Sequence, residues 1–394
     1  MARPFMKLAL SLSLTVLTIT SFALPSLAAP GHFSYGGGPL IYNPVIYIVR
    51  FSQSATSLSP GGFFAPDLGP AGIKASALAA ANSPEYSWWK NEYSPSKEPI
   101  GLARFGGYVT LVDPALATSL SPTDPAIEGA LTTAYSNLTL PGNPASAVYL
   151  VTTRSFQSPV LPGTPSCAWH SRASLANPDG SYTYLNYAVI PEWSTPKAVA
   201  ACGTNVPALG IAQALVAHEL AETITDPTAG IYPTGWVMGS FTEIADACEG
   251  WPSVTVSYHH ETFLFPQIYS NALARCLDQT LSARITAHAT RTALSARLTL
   301  VGASPGSIPL LVTIDNTTTK LKTSPTGLVS LRYTPSPRPR SIRIRIDPHY
   351  PATGAFVSTI PAQPGAPPIP TTTTSTTTTS TTTTTSTTTT TTVS

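Results

Sequence analysis

The chain has 394 residues, of which 42% are hydrophobic and only 10% charged, with 21 Lys and Arg against 19 Asp and Glu. That is enough apolar material for one large domain and a smaller one. A net charge of +2 with no long basic run excludes a nucleic-acid binder or a protein held on an anionic membrane, since both need a concentrated basic face.

Residues 1–28 read as an export signal. Arg3 and Lys7 form a basic start, Leu8 to Leu24 is an apolar run, and Ser26-Leu27-Ala28 supplies the small residues that a signal peptidase reads. The competing reading is an uncleaved anchor, which Pro25 and the small-residue site disfavour. A secreted or cell-surface protein is expected, in an oligomeric state that the sequence leaves open.

Beyond the signal, Val45–Phe51, Tyr108–Val112, Ala147–Thr153 and Tyr182–Ile190 are β-branched or aromatic runs bounded by Pro, Gly and Asn, so they predict strands. Between the second and third, Asp124 is placed to cap a helix with Pro125 at its first position. The pattern is that of an α+β or α/β domain with a mixed sheet.

The next helical stretch runs from Leu209 to Thr225, with Asn205 as cap and Pro207 in the first turn, and contains His218-Glu219-Leu-Ala-Glu222. Residues four apart share a helix face, so His218 and Glu222 point the same way with Glu219 beside them. This is one letter short of H-E-x-x-H, the motif in which a helix offers two metal ligands and a general base to one bound water.

Acidic residues crowd here: Glu219, Glu222, Asp226, Glu243, Asp246 and Glu249 fall within 31 positions of a chain that has 19 Asp and Glu in all. Asp226 opposes the helix dipole at the C-terminus, so a cation or a hydrogen-bond donor is expected beside it. The segment Glu243-Ile-Ala-Asp246 reads as helical, with Glu243 as third metal ligand and Asp246 one turn on to orient a ligand. Asp226 is the alternative third ligand. Glu219 is the expected base, and His259, Tyr258 or His170 the donor to a developing oxyanion.

Replacing the second His by Glu222 adds a negative charge to the ligand set. Zinc is the expected metal, with Mn or Ca favoured more than at an H-E-x-x-H site by the oxygen-rich donors, and a neutralised ion would acidify its water less.

Cys167, Cys202, Cys248 and Cys276 make an even count in an exported chain, which predicts disulfides with three possible connectivities. The sequential pairs, Cys167 with Cys202 and Cys248 with Cys276, are favoured. From Ser282 on, strand-like pieces separated by turns predict a β-sandwich of immunoglobulin-like type, with Ile342, Ile344 and Ile346 inward and Arg343 and Arg345 outward. After Pro364 the chain is Pro-rich and then almost pure Thr, a composition with nothing to bury.

The HELAETITDP helix, the EIADAC segment, Tyr35-Gly-Gly-Gly-Pro39, Trp88-Trp89, Cys167-Ala-Trp-His170 and Tyr269-Ser270-Asn271 together resemble the Exordium (phosphate-induced) family of secreted proteins, in its microbial branch. The resemblance covers about 35–276 in patches. It implies an extracellular protein with a zincin-like core, associated in plants with cell expansion, and matches it at His218, Glu219, Glu222, Glu243 and Asp246. The expected plan is then a signal peptide (1–28), a zincin-like α+β metal-binding domain (29–280), an immunoglobulin-like sandwich (281–362) and a disordered Pro/Thr-rich tail (363–394).

Two functions fit this reading. One is a secreted or cell-surface zinc-dependent hydrolase of metallopeptidase type acting on an extracellular peptide or glycan. The other is a non-catalytic matrix or cell-wall protein that binds a partner or a glycan through Trp88, Trp89, Trp169, Trp236 or Trp251.

Overall fold

The computed structural model describes residues 31–54, 72–95, 98–119, 122–153, 167–191, 206, 208–229, 231–239, 242–248, 254–277, 279–290, 292–300, 305–333 and 340–360. The expected signal peptide and Thr-rich tail, Cys202, Asn205, Pro207, Glu249 and Trp251 lie outside them.

The first part of the chain runs β1 (Ser34–Tyr35), β2 (Val45–Ser52), α1 (Ile73–Asn82), α2 (Trp88–Glu92), β3 (Arg104–Val112), α3 (Pro114–Thr118), α4 (Asp124–Ser136), β4 (Ala147–Thr153), β5 (Trp169–Ala176), β6 (Tyr182–Pro191), α5 (Ala208–Thr225) and β7 (Trp236–Val237). Two short antiparallel pairs follow: β8 (Val254–Tyr258) with β9 (Glu261–Phe265), and β10 (Ile268–Ser270) with β11 (Arg275–Leu277).

Five strands form one sheet in the order β3-β2-β4-β6-β5. The first four are parallel, and β5 returns antiparallel to β6 at the edge. A parallel interior is buried on both faces, and β4 (AVYLVTT) is buried along its whole length. Ile46, Ile48, Val148 and Leu150 face a core shared with α1 and α5, while Val49, Tyr149, Val151 and Tyr187 face a second core closed by Ile127 and Leu131 of α4.

Helix α4 starts one residue earlier than expected. Thr123 holds the cap position, Asp124 is the first helical residue, and its carboxylate accepts from Trp169 Nε1 at 2.6 Å and Tyr187 Oη at 3.1 Å. Tertiary donors thus take the carboxylate that capping would have used.

The chain then runs β12 (Leu281–Ala289), β13 (Ala293–Leu300), β14 (Pro309–Ile314), β15 (Thr317–Lys322), β16 (Leu328–Arg332), β17 (Arg340–Ile346), β18 (Ala352–Thr353) and β19 (Ala355–Ile360). These make two four-stranded sheets, β16-β13-β12-β18 and β15-β14-β17-β19, around a single core. Ile342, Ile344 and Ile346 are buried in it, and Arg343 and Arg345 face outward, as period-two alternation requires. The two parts meet closely. Thr280 N–H donates to Glu85 O at 2.7 Å, and Leu273 packs against both cores.

Candidate metal centre

Helix α5 is apolar nearly all round, and such a helix is buried. Val216, Ala217, Leu220, Ala221 and Ile224 pack into the core under the sheet. Its three ionisable residues therefore sit inside the protein, with Glu219 and Glu222 only 4% and 2% exposed. Burying a charge without a partner costs several kcal/mol at least. Partners come from two other segments.

The first is β5, the antiparallel edge strand, whose alternation turns His170 inward. His170 Nδ1 lies 3.4 Å from Glu219 Oε2 and 3.7 Å from Glu222 Oε2. Its Nε2 lies 3.1 Å from the carbonyl oxygen of Asp226 and 3.2 Å from Glu243 Oε1.

The second is the loop after β7. A Met238–Thr242 bridge and the bond from Tyr269 N–H to Ile244 O, 3.0 Å, fix its course. It ends in a single 3-10 turn, Asp246–Cys248, rather than the expected helix. Glu243 and Asp246 turn to different imidazoles. Asp246 Oδ1 reaches His218 Nε2 at 3.2 Å, whereas Glu243 reaches His170.

Glu222 joins the two halves. Its Oε2 is 3.1 Å from His218 Nε2, and its Oε1 accepts the N–H groups of Ala245 and Asp246 at 3.1 and 3.0 Å. Those two donors hold the carboxylate in place and leave Oε2 to face the imidazoles.

Asp226 has its own partners. Its Oδ1 accepts from Gly235 N–H at 2.7 Å and from the Thr228 hydroxyl at 2.5 Å, and these hydrogen bonds offset its clash with the helix dipole. Only glycine fits at 235, because a Cβ there would stand 2.0 Å from Thr225 O. The Tyr35-Gly36-Gly37-Gly38 segment lies alongside, with Gly36 N–H donating to Gly235 O at 2.8 Å.

Electrostatics follow from this crowding. Burial opposes charge on His170, but Glu243, Glu219 and Glu222 together outweigh it and raise its proton affinity well above the usual histidine range. Burial likewise opposes charge on His218, and Glu222, Asp246 and Glu219 outweigh it. Burial raises the Glu219 and Glu243 carboxyls and pushes Glu222 up to about 7. Asp246, where burial also acts upward, is held below its ordinary value by His218.

The donor atoms suit a small cation. Four-coordinate zinc with bonds near 2.0–2.1 Å separates its ligand atoms by about 3.3–3.4 Å. His218 Nε2 lies 3.1 Å from Glu222 Oε2 and 3.2 Å from Asp246 Oδ1. Imidazole and carboxylate are donors that zinc and manganese accept. The geometry brings Asp246, where the sequence favours Glu243, to His218 and Glu222.

Tyr258 and His259 stand elsewhere. Tyr258 closes β8 and packs on the core, and His259 and His260 form the two-residue turn to β9, both in left-handed backbone (φ 50° and 68°). Among the described residues neither Tyr258 nor His259 has a hydrogen bond or ion pair to the carboxylate cluster. Of the proposed oxyanion donors, only His170 is in the cluster. Trp88 and Trp89 are buried at 4% and 0% exposure, so they offer no stacking surface, and Trp169 and Trp236 are half-buried.

The disulfide Cys248–Cys276 ties the 3-10 turn to β11. Cys167 is also disulfide-bonded, and Cys202, the partner expected for it, lies outside the described residues.

No family model and no curated protein matches this chain. Among solved structures, catalytically inactive OgpA from Akkermansia muciniphila in complex with an O-glycopeptide (glycodrosocin) substrate aligns over 85% of this chain and 97% of that one, at 8% identity and a TM-score of 0.18. A likeness at that level carries no argument about fold or function.

Proposed function

We propose that the protein is a secreted, metal-dependent hydrolase of peptidase type, with a zincin-like arrangement around α5. The convergence of His218 Nε2, Glu222 Oε2 and Asp246 Oδ1 carries this reading. These three residues would hold the metal, zinc first and manganese or calcium after it, and such an ion supplies Lewis acidity and a nucleophile near neutral pH. Glu219, the next residue on the helix, accepts the proton, and His170 steadies its carboxylate from the edge strand. Export is read from residues 1–28, and the resemblance to the Exordium family supports an extracellular setting without specifying a substrate.

A non-catalytic role is favoured by one observation. Glu222 and Asp246 would bring two negative charges to the ion, which lowers its power to polarise a carbonyl. Hydrolysis of an unbiased peptide and glycopeptide mixture by metal-loaded protein tests the choice. Turnover that disappears in Glu219→Gln supports the hydrolase. Bound metal with no turnover on any component selects the binding role.

A further inference from the structure

We propose that the centre holds two divalent cations bridged by Glu222, the second seated among His170 Nδ1, Glu219 Oε2 and Glu222 Oε2. The inference rests on the metal-centre reading above and extends it from one ion to two.

Three observations carry it. The second seat has distances of 3.4 and 3.7 Å from His170 Nδ1 to the two carboxylate oxygens, close to the roughly 3.3–3.4 Å edge of a four-coordinate site. Both seats draw on Glu222 Oε2, the oxygen left over when Oε1 is fixed by two backbone donors.

The tautomer of His170 supplies the second observation. Nε2 faces a backbone carbonyl at 3.1 Å, and a carbonyl only accepts, so Nε2 carries the proton. Nδ1 points at two carboxylate oxygens, Glu219 Oε2 and Glu222 Oε2. That position takes either a proton or a metal ion, and an ion seated there displaces the proton and meets one nitrogen and two oxygen donors. Glu243 Oε1, buried and without a hydrogen bond, lies on the other side of the same ring.

Charge balance is the third. Glu219, Glu222, Glu243 and Asp246 bring four negative charges, and among the described residues their ion pairs are all with His170 and His218. Two divalent ions, with both imidazoles bound as neutral ligands, balance these four charges. In this arrangement Glu219 gives Oε2 to the second ion, so Glu219→Gln costs an ion as well as any turnover.

The test is metal stoichiometry in the full chain, stripped with chelator, reloaded with Zn2+ or Mn2+, desalted and analysed by inductively coupled plasma mass spectrometry. The wild type should retain about two ions per chain and His170→Ala about one. One ion in both proteins overturns the second seat and leaves the single-ion centre standing. No ion in the wild type overturns both. Should His170→Ala fail to fold, Mn2+ titration of the wild type followed by electron paramagnetic resonance decides alone. A second equivalent that broadens the spectrum of the first by spin coupling supports the bridge, and one that leaves it unchanged overturns it.

Discussion

Glu222 Oε2 lies 3.1 Å from His218 Nε2 while Glu222 Oε1 takes the N–H groups of Ala245 and Asp246. One carboxylate thus clamps the loop that carries Asp246 against the helix that carries His218. Removing it by Glu222→Ala leaves the buried Ala245 N–H unsatisfied, at about 1–3 kcal/mol, and frees the part-buried Asp246 N–H as well. We expect the variant to melt well below the wild type even without metal, and thermal unfolding in chelator measures this.

Asp246 contacts His218 and Glu243 contacts His170; the proposed centre makes Asp246 a ligand, whereas the sequence reading has Glu243 as ligand and Asp246 holding His218 or the ligand in place. Asp246→Asn should weaken metal binding at His218 by at least tenfold, since a charged ligand is lost. Glu243→Gln, whose contact is with His170, should leave binding at His218 within a few fold. Calorimetric titration with Zn2+ compares the two. Equal losses would return Glu243 to the ligand set.

Glu219→Gln keeps the side-chain shape and removes the base. If the hydrolase reading holds, turnover should fall about 10²–10⁴-fold while at least one ion per chain remains, as metal analysis alongside the peptide assay would register.

The Cys248–Cys276 bridge starts two residues after Asp246. Replacing both cysteines by Ser should lower stability by about 2–4 kcal/mol and, by loosening the 3-10 turn, weaken metal binding as well. Non-reducing peptide mapping should also recover Cys167 linked to Cys202.

A pH-dependent contribution resides in the sandwich. Burial alone would raise the Asp347 carboxyl, but Lys320 Nζ at 2.6 Å and the backbone and ring of His349 hold it down at about 2. A depressed carboxyl contributes stability above its unfolded value, near 3.8, and that contribution is lost as pH falls through about 2. Asp347→Asn should therefore be less stable than the wild type from pH 5 to 8, with the difference vanishing near pH 2 in thermal melts.

How much of this could be read from residues alone depended on whether the signal was local. Strand β4, buried on both faces, is a continuous apolar run, and β17 alternates Ile with Arg, so both were plain. The helix motif at 218–222 was plain for the same reason, because its spacing is its geometry. Strand β5 was not expected. Its sequence, WHSRASLA, mixes polar and small residues because it is a sheet edge, and nothing local says that His170 turns inward to meet a helix residue 49 positions on. The helix expected through Glu243–Asp246 is cut to about one turn, in which Ala247 N–H bonds to Glu243 O, Cys248 N–H bonds to Ala245 O, and Glu222 takes the N–H groups of Ala245 and Asp246 that a helix start leaves free. His259 and His260 were ambiguous until two left-handed residues placed them in a hairpin turn.

On the proposed function, His218, Glu222 and Asp246 bind a metal ion in the folded protein. The most direct measurement is the melting temperature of chelator-treated wild type with and without Zn2+, beside His218→Ala, because an ion that binds only the folded state raises stability by about 2.7 kcal/mol at a hundredfold excess over its dissociation constant. The account predicts a clear upward shift in the wild type and a sharply reduced one in His218→Ala. An unchanged melting temperature in the wild type, or equal shifts in both proteins, would contradict it.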